Sequence, residues 1–258
     1  MADIEIRRDG SIAFLRLSRP GKKNALTNAM HWTIAEALND ADADAAVKAL
    51  VIEAEGPDFC AGNDLAMMAD MASGKLPADE LASDDFLAAL SGFGKPLLAA
   101  VRGRAIGVGA TLLMHCDVVV VAQDSRLTFP FVDLSVVPEA ASTYLVPARI
   151  GYARAYSLLC LCEPVTGADA AEWGLVTRSV ESADVDDVAR DLALRLAGKP
   201  ASALRATKVL MKDRDAIERA LASDKEAFLR QIGLQQLGQS EAASVQATGG
   251  TPSTGVQA

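Results

Sequence analysis

Histidine, cysteine and positive charge are scarce in this chain of 258 residues. Only two histidines are available to complete a metal site, and no pair of the four cysteines has C-x-x-C spacing. The net charge of −9 leaves no basic face to displace the counterions of a nucleic acid. We therefore expect no metal and no nucleic-acid partner, and we predict reduced core thiols in a cytoplasmic protein. These thiols are Cys60, Cys116, Cys160 and Cys162.

Long apolar runs are lacking as well. The first ten residues, MADIEIRRDG, are too polar for a secretion signal, and the uncharged run 105–116 is too short to cross a bilayer. We therefore expect a soluble protein without membrane contact. Half of the residues are nevertheless hydrophobic, which is enough to bury the core of one large domain.

The order of the predicted elements favours an α/β fold. Apolar runs at 12–17, 49–52, 97–101 and 118–121 are typical of strands, and a helix is predicted to begin near Thr27. From residue 139 onward helical spacing dominates, interrupted by one strand-like piece at 175–180. One helical run is predicted after the loop at 56–64, ending at residue 71. Further helices are predicted at 79–90, 139–150, 153–161, 168–173, 188–196, 201–211 and 215–237. Residues 240–258 lack periodicity, so we expect a disordered tail there.

Two glycine-containing loops each run from a strand end towards a helix. The first is GPDFCAGND at 56–64, and the second lies within GRAIGVGATLLMHCD at 103–117. Glycine lets the backbone approach a ligand closely, and the first N–H groups of a helix lack intrahelical acceptors. If the two loops converge, two backbone N–H groups could point at one carbonyl oxygen. Tight packing of a helix on a strand is the structural alternative for each loop.

Four motifs together resemble the enoyl-CoA hydratase/isomerase, or crotonase, superfamily. They are FCAGNDL (59–65), GRAIGVGATLLMHCD (103–117), LTFPFVDLSVVPEAASTYLVPARIG (127–151) and TGADAAEWGLV (166–176). The resemblance covers residues 4–228. It implies a spiral core of repeated β-β-α units over 1–195 and a helical trimerisation and lid region over 196–239. It also implies a homotrimer or dimer of trimers, and an acyl-CoA thioester substrate that brings coenzyme A with it, so no separate cofactor is expected.

The resemblance also implies roles for individual residues. Asn63 N–H and Val108 N–H would donate to the thioester oxygen. Phe228 would close over coenzyme A, and two lysines in the RPGKKNAL turn would meet its phosphates, although a solvated charge pair explains the lysines equally well. Asp64 is better explained as a residue that fixes its own loop. The full set of side chains and loop residues expected to contact the acyl-CoA is Lys22, Lys23, Ala25, Leu26, Ala61, Gly62, Asp64, Leu65, Gly107, Phe131 and Phe228.

The side chains, and not the two N–H groups, decide which reaction follows. Hydratases of this family use two glutamates, and the equivalent positions here hold Thr111 and Phe131, which cannot transfer a proton at neutral pH. The sequence around Glu139 is similar to the peroxisomal-type delta3,delta2-enoyl-CoA isomerases, whose single catalytic glutamate has this position. Without that similarity, an acid after Pro138 would be explained by favourable charge at a helix start.

One carboxylate suffices to move a double bond from the β,γ to the α,β position. Glu139 would take a proton from the α carbon and return it to the γ carbon, while the two N–H groups stabilise the enolate. Asp133 is the reserve carboxylate. The two histidines, His31 and His115, occupy apolar helical positions and are predicted to be packed and not catalytic.

Two other functions stay open from the sequence. One is a different acyl-CoA reaction of the same superfamily, such as hydration, hydrolysis or dehalogenation. The other is a non-catalytic acyl-CoA binding protein, in which Glu139 would be dispensable. A peptidase is disfavoured, because the chain has no G-x-S-x-G elbow.

Overall fold

The computed structural model describes residues 2–77 and 80–248. The strands are β1 (Ile4–Asp9), β2 (Ile12–Leu17), β3 (Ala49–Ala54), β4 (Leu97–Val101), β5 (Arg104–Ile106), β6 (Val118–Ala122), β7 (Arg126–Thr128), β8 (Val165–Thr166) and β9 (Arg178–Val180). The helices are α1 (Asn28–Ala43), α2 (Leu65–Ala72), α3 (Ser83–Gly92), α4 (Val108–Thr111), α5 (Ser142–Ile150), α6 (Tyr152–Cys160), α7 (Gly167–Glu172), α8 (Val185–Ala197), α9 (Ala201–Met211) and α10 (Arg214–Thr248). Short 3₁₀ turns lie at Pro20–Lys22, Leu112–His115 and Ser182–Asp184.

The nine strands of the described residues form two sheets. The larger sheet has the order β1-β2-β3-β4-β6-β9, in which only the β1–β2 pair is antiparallel. The smaller sheet has the order β5-β7-β8, with β5 and β7 parallel. Each of the pairs β4–β5 and β6–β7 therefore gives one strand to each sheet before the chain enters a helix. This is the spiral of β-β-α units that the resemblance implies, and the α/β prediction is confirmed.

Strands β2, β3, β4 and β6 of the larger sheet are buried on both faces, because their alternate residues belong to two different apolar clusters. Helix α8 covers one face with Val185, Ala189 and Ala193, spaced four residues apart on one side of the helix. The boundary predicted between 195 and 196 therefore falls inside a core helix. The chain leaves that helix only after Ala197.

Several elements differ from the sequence-based prediction. The pattern of apolar residues does not predict β1, because Ile4 is the only buried residue of that strand. The helix predicted from residue 139 begins at Ser142, since Ala140 and Ala141 have left-handed backbone angles, φ 62° and 55°. The start predicted at 79 for the preceding helix lies outside the described residues. Helix α10 continues to Thr248, so the tail expected from 240 overlaps a helix over 240–248, and 249–258 are not described.

Three of the four cysteines are buried, and all four are free thiols. Burial raises the pKa of Cys60 and of Cys116 to about 12, so both stay protonated. Cys160 is exposed at the end of α6, and the prediction of a core position is wrong for this residue. In the part of the chain that is described, no helix combines the length and the apolar character needed to cross a bilayer.

Candidate active site

The two glycine loops lie side by side. Cys60 in the first loop pairs with Ala105 in the second, and the Ile106 N–H donates to the Cys60 carbonyl at 2.9 Å. Gly62 and Gly107 have φ angles of 98° and 55°, and a Cβ on Gly62 would stand 3.1 Å from the Ile106 carbonyl oxygen. Glycine is therefore required for this close approach. The convergence of the loops, which the sequence left as an assumption, is present in the structure.

Asn63 and Val108 follow these two glycines, and their N–H groups have no acceptor among the described residues. The neighbouring donors are already used, since Asp64 N–H binds the Leu26 carbonyl at 2.8 Å and Gly107 N–H binds the Thr128 carbonyl at 3.0 Å. Val108 is the first residue of α4, where an N–H group has no intrahelical partner. The site thus offers two backbone donors to an anionic or carbonyl oxygen.

The turn that carries the two lysines is tied to the first glycine loop. Leu26 N–H donates to the Gly62 carbonyl at 2.8 Å, and Ala61 N–H donates to the Lys23 carbonyl at 2.9 Å. Leu26 is buried, whereas Lys22 and Lys23 are exposed at the tip of the turn. The lysine side chains are consequently accessible to a ligand, and the backbone beneath them is fixed.

Asn24 holds this turn and was missed by the sequence reasoning. Its side chain is fully buried, accepts from Arg19 N–H at 2.8 Å, and donates to the carbonyls of Glu55 and Asp58 at 2.9 and 2.8 Å. Its left-handed φ of 55° is a conformation that asparagine tolerates better than most residues. An asparagine directly after a Pro-Gly turn was the available signal.

Asp64 serves the structure of its loop. One carboxylate oxygen accepts from Ala66 N–H at 2.9 Å as the N-cap of α2, and the other pairs with Arg19 at 2.6 Å. The bond from Arg19 holds the pKa of Asp64 below its usual range. This is the loop-fixing arrangement that the sequence favoured for Asp64. The next residue, Leu65, is exposed.

A cavity of about 70 Å³ lies beside Asn63. Its walls come from α1, α2, α3, the segment before α5, and one face of α10. The lining residues are His31, Asn63, Met67, Met68, Met71, Leu81, Ser83, Asp84, Leu87, Glu139, Ala140, Leu221, Lys225, Phe228 and Leu229. Three of the predicted site residues, Asn63, Glu139 and Phe228, are therefore brought together. The other predicted site residues are outside this lining: Lys22, Lys23, Ala25, Leu26, Ala61, Gly62, Asp64, Leu65, Gly107, Val108 and Phe131.

Glu139, a half-buried residue, presents its carboxyl group to this cavity. Its Oε1 atom is inaccessible to solvent and has no hydrogen-bond partner among the described residues. Burial raises the pKa of Glu139 to about 7, and the nearby charge of Asp224 contributes in the same direction. A helix start does not stabilise its charge, because α5 begins only at Ser142. The helix-start explanation of Glu139 is thus wrong.

The turn after Glu139 is fixed from a distant part of the chain. His115 Nε2 donates to the Ala140 carbonyl at 2.9 Å, which requires the tautomer with the proton on Nε2. Burial lowers the pKa of His115 to about 4, so the ring is neutral at physiological pH. The Glu139 carbonyl itself accepts from the Ser142 hydroxyl at 2.6 Å. His115 is packed, as the sequence predicts, and it also holds the turn.

His31 is a second polar side chain without a partner in this cavity. It is 2% exposed, stacks on Phe86 with 4.8 Å between ring centroids, and neither ring nitrogen has a partner among the described residues. Burial lowers the pKa of His31 to about 4. It is therefore a neutral, packed ring, as the sequence predicts.

Asp224 on α10 is the functional candidate that the sequence reasoning missed. It is 5% exposed and accepts from the Thr143 hydroxyl at 2.6 Å, while its Oδ2 has no partner among the described residues. Burial raises the pKa of Asp224 to about 6. A signal existed in the sequence, because Asp224 interrupts the apolar helical stripe formed by Ile217, Leu221 and Phe228.

The reserve carboxylate and the two hydratase positions lie elsewhere. Asp133 is exposed and does not line the cavity. Thr111 is fully buried, and Phe131, at 6% exposure, belongs to the main apolar cluster. These three residues are thus outside the cavity that holds Glu139.

The chain is similar to known proteins over most of its length. The family profile described as Enoyl-CoA hydratase/isomerase matches residues 7–243. A 1,2-epoxyphenylacetyl-CoA isomerase of Escherichia coli (strain K12) is 32% identical over 190 residues, which are 72% of this chain and 72% of the relative. A 2,3-dehydroadipyl-CoA hydratase of the same strain is 31% identical over 234 residues, or 88% of this chain and 89% of the relative.

Solved structures are also similar to this chain in fold. Pseudomonas aeruginosa OdaA is 38% identical with a TM-score of 0.84, over 90% of this chain and 94% of that protein. An enoyl-CoA hydratase/isomerase from Pseudoalteromonas atlantica T6c is 27% identical with a TM-score of 0.86, over 97% of this chain and 99% of that protein. The similarity in sequence and in fold thus extends over nearly the whole chain.

Proposed function

The chain belongs to the enoyl-CoA hydratase/isomerase family, and we propose that within this family it moves the double bond of a 3-enoyl-CoA to the 2 position. Membership makes it an enzyme of the crotonase superfamily with acyl-CoA hydratase/isomerase activity. The specific isomerisation is our proposal. In it Glu139 is the catalytic acid and base, and the N–H groups of Asn63 and Val108 bind the thioester oxygen.

The carboxyl group of Glu139 is the observation that carries this proposal. Glu139 and Asp84 are the acids that line the cavity, but Asp84 is exposed and forms an ion pair with Lys225. The Oε1 atom of Glu139 has no hydrogen-bond partner among the described residues, and Glu139 lines the same cavity as Asn63. An uncompensated buried carboxyl group destabilises a fold, and such groups are frequent where chemistry requires them.

The proposed reaction needs no group beyond these three. The Glu139 carboxylate removes a proton from the α carbon, and the electron pair of that C–H bond delocalises into the thioester, whose oxygen becomes the enolate oxygen. The enolate then re-forms the carbonyl and the α,β double bond, while the former β,γ π electrons take the proton from Glu139 at the γ carbon. A carboxyl group with a pKa of about 7 is a competent base before this transfer and a competent acid after it.

The walls of the cavity suit an acyl chain. Met67, Met68 and Met71 on α2 face Phe228 on α10 across the cavity. Methionine side chains adapt their shape to a ligand, so a cavity that is small in the absence of substrate can enlarge around an acyl group. The exposed Lys22 and Lys23 would contact the phosphates of coenzyme A, which enters as part of the substrate.

Hydration of a 2-enoyl-CoA is the second candidate. This candidate is favoured by the similarity to the 2,3-dehydroadipyl-CoA hydratase named above, which extends over 88% of this chain. Hydration needs a general acid and a general base around the double bond. Here Thr111 and Phe131 replace the two glutamates, and Asp224 does not line the cavity, so the isomerase is the better supported function.

An assay with both substrates separates the two candidates. Purified protein should convert a 3-enoyl-CoA to trans-2-enoyl-CoA much faster than it converts trans-2-enoyl-CoA to the hydroxyacyl product. The Glu139→Gln variant is the matched control, because it keeps the shape of the side chain and removes the base. A hydration rate comparable to isomerisation would refute the isomerase proposal, and acyl-CoA binding without turnover would favour a binding protein.

We also propose that the chain assembles into a trimer or a dimer of trimers through its C-terminal helices. Leu210 and Met211 at the end of α9 are 87% and 81% exposed in the single chain, and exposed apolar side chains are typical of subunit contacts. Light scattering should give three or six times the mass of one chain. A monomer mass at micromolar concentration would contradict this assembly.

A further inference from the structure

Asp224 connects the C-terminal helix to the segment that carries Glu139. Its Oδ1 accepts the Thr143 hydroxyl at 2.6 Å, in the first turn of α5. The side chain of the preceding N-cap residue, Ala141, cannot cap that helix. An acid on α10 therefore holds the first turn of α5, a helix that has no side-chain cap of its own.

The same contact determines the path of the chain after Glu139. Ala140 and Ala141 both have left-handed backbone angles, which are unfavourable for alanine and must be maintained by their surroundings. His115 holds the Ala140 carbonyl, and Asp224 holds the beginning of α5. The turn that directs the Glu139 side chain into the cavity is thus fixed at both ends, and one of these ends depends on the docking of α10.

We infer that Asp224 is a positioning residue for Glu139, because it fixes the turn after Glu139 through its hydrogen bond to Thr143. This inference rests on the proposed function, in which Glu139 carries the proton. Asp224 is 5% exposed, lies outside the cavity lining, and uses Oδ1 to bind Thr143. It acts through Glu139.

No other charge near Glu139 among the described residues substitutes for Asp224. Asp84 of α3 and Lys225 of α10 line the cavity but form an ion pair with each other. His31 of α1 and His115 before β6 are buried and neutral at physiological pH. Asp224 thus acts on Glu139 without a compensating cation, and this charge makes Glu139 a stronger base than burial alone would.

Substitution of Asp224 by asparagine or alanine separates its charge from its hydrogen bonds. Asp224→Asn keeps an acceptor for Thr143 and removes the charge. The acid limb of the kcat/KM profile should therefore shift to lower pH by at least about half a pH unit. Asp224→Ala also loses the acceptor, so the same shift should be accompanied by an approximately tenfold or greater loss of kcat as the turn loosens.

Two further variants test the reasoning. Asp85→Asn removes an exposed acid of the same helix α3 that does not line the cavity, and should leave the acid limb in place. Thr143→Val removes the hydrogen bond that lowers the pKa of Asp224. Asp224 is then less ionised near pH 7, so the acid limb of the kcat/KM profile should again move to lower pH. This variant provides the answer if Asp224→Asn does not fold.

A carbon-13 titration of glutamate carboxyl groups gives a readout that does not depend on turnover. The Glu139 signal is the one that disappears in Glu139→Gln. Its midpoint should lie near pH 7 in the unmodified protein and lower in Asp224→Asn and Thr143→Val. An unchanged midpoint in both variants would overturn the inference. Absence of isomerase activity alongside a shifted midpoint would refute the proposed reaction and leave the positioning role intact.

Discussion

Replacement of Glu139 by glutamine should make the protein more stable and almost inactive at the same time. Glutamine has nearly the shape of a protonated glutamate, and it never carries charge. In the native protein the Oε1 atom of Glu139 is inaccessible to solvent and has no hydrogen-bond partner among the described residues, so the ionised form is poorly solvated. The substitution removes this unfavourable charge together with the proposed base.

The magnitude of the stabilisation follows from the difference between the folded and unfolded pKa. The folded pKa of Glu139 is about 7 and its ordinary value is 4.5, so between these pH values the folded state holds a proton that the unfolded state releases. The glutamate therefore lowers the free energy of unfolding progressively as the pH rises from about 4.5 to 7. At about 1.4 kcal/mol per pKa unit the loss is about 3 kcal/mol, and part of it is shared with Asp224.

The stability difference between Glu139→Gln and the unmodified protein should therefore depend on pH. At pH 8 the variant should unfold at a temperature roughly 5 to 10 °C higher, on the scale of about 2 to 4 °C per kcal/mol for a chain of this size. At pH 4.5 or below the two melting temperatures should approach each other. Scanning calorimetry at both pH values measures this. Equal destabilisation of the variant at both pH values would refute the argument from buried charge.

The activity of the same variant should fall by about two to four orders of magnitude in kcat, the usual scale for loss of a general base. Affinity for acyl-CoA should change little, because the backbone donors at Asn63 and Val108 remain. Asp133→Asn is the matched control and should reduce kcat less than about tenfold, since Asp133 is exposed outside the cavity. Activity that survives Glu139→Gln and is lost in Asp133→Asn would show that the base is Asp133 and that its assignment to Glu139 is wrong.

Further predictions concern the pocket, the ligand and the loop. His31→Phe should raise the free energy of unfolding by about 1 to 2 kcal/mol in chemical denaturation, because it removes two unpaired buried nitrogens and keeps a ring against Phe86; a large loss of stability would show that a hidden partner satisfies them. Calorimetry should find that acyl-CoA binding weakens with added salt, and that this dependence decreases when Lys22 and Lys23 are both replaced by glutamine; a salt-independent affinity would exclude these phosphate contacts. Asn24→Ala should lower the free energy of unfolding by about 2 to 4 kcal/mol and raise KM, because three buried hydrogen bonds that fix the lysine turn are lost; unaltered stability would contradict this assignment.

The sequence by itself determined several strands of the larger sheet, most of the helices and the two glycine loops. Strands β2 and β4 and helix α9 have the predicted bounds. Thr27 caps α1 by accepting from Met30 N–H at 3.2 Å. These features depend on the period of apolar residues and on local backbone preferences, which are properties of short segments. Motifs of the same local kind placed Asn63 and Glu139 among the site residues.

Only the tertiary structure decided what surrounds the Glu139 carboxyl group. The turn after it is held by His115, 25 residues from Ala140, and by Asp224, 81 residues from Thr143. Proton affinity depends on desolvation and on nearby charges, and both come from segments that are distant along the chain. A sequence pattern can therefore identify a candidate acid at position 139, but the burial and the neighbouring charge that raise its pKa arise only when α10 packs across the start of α5.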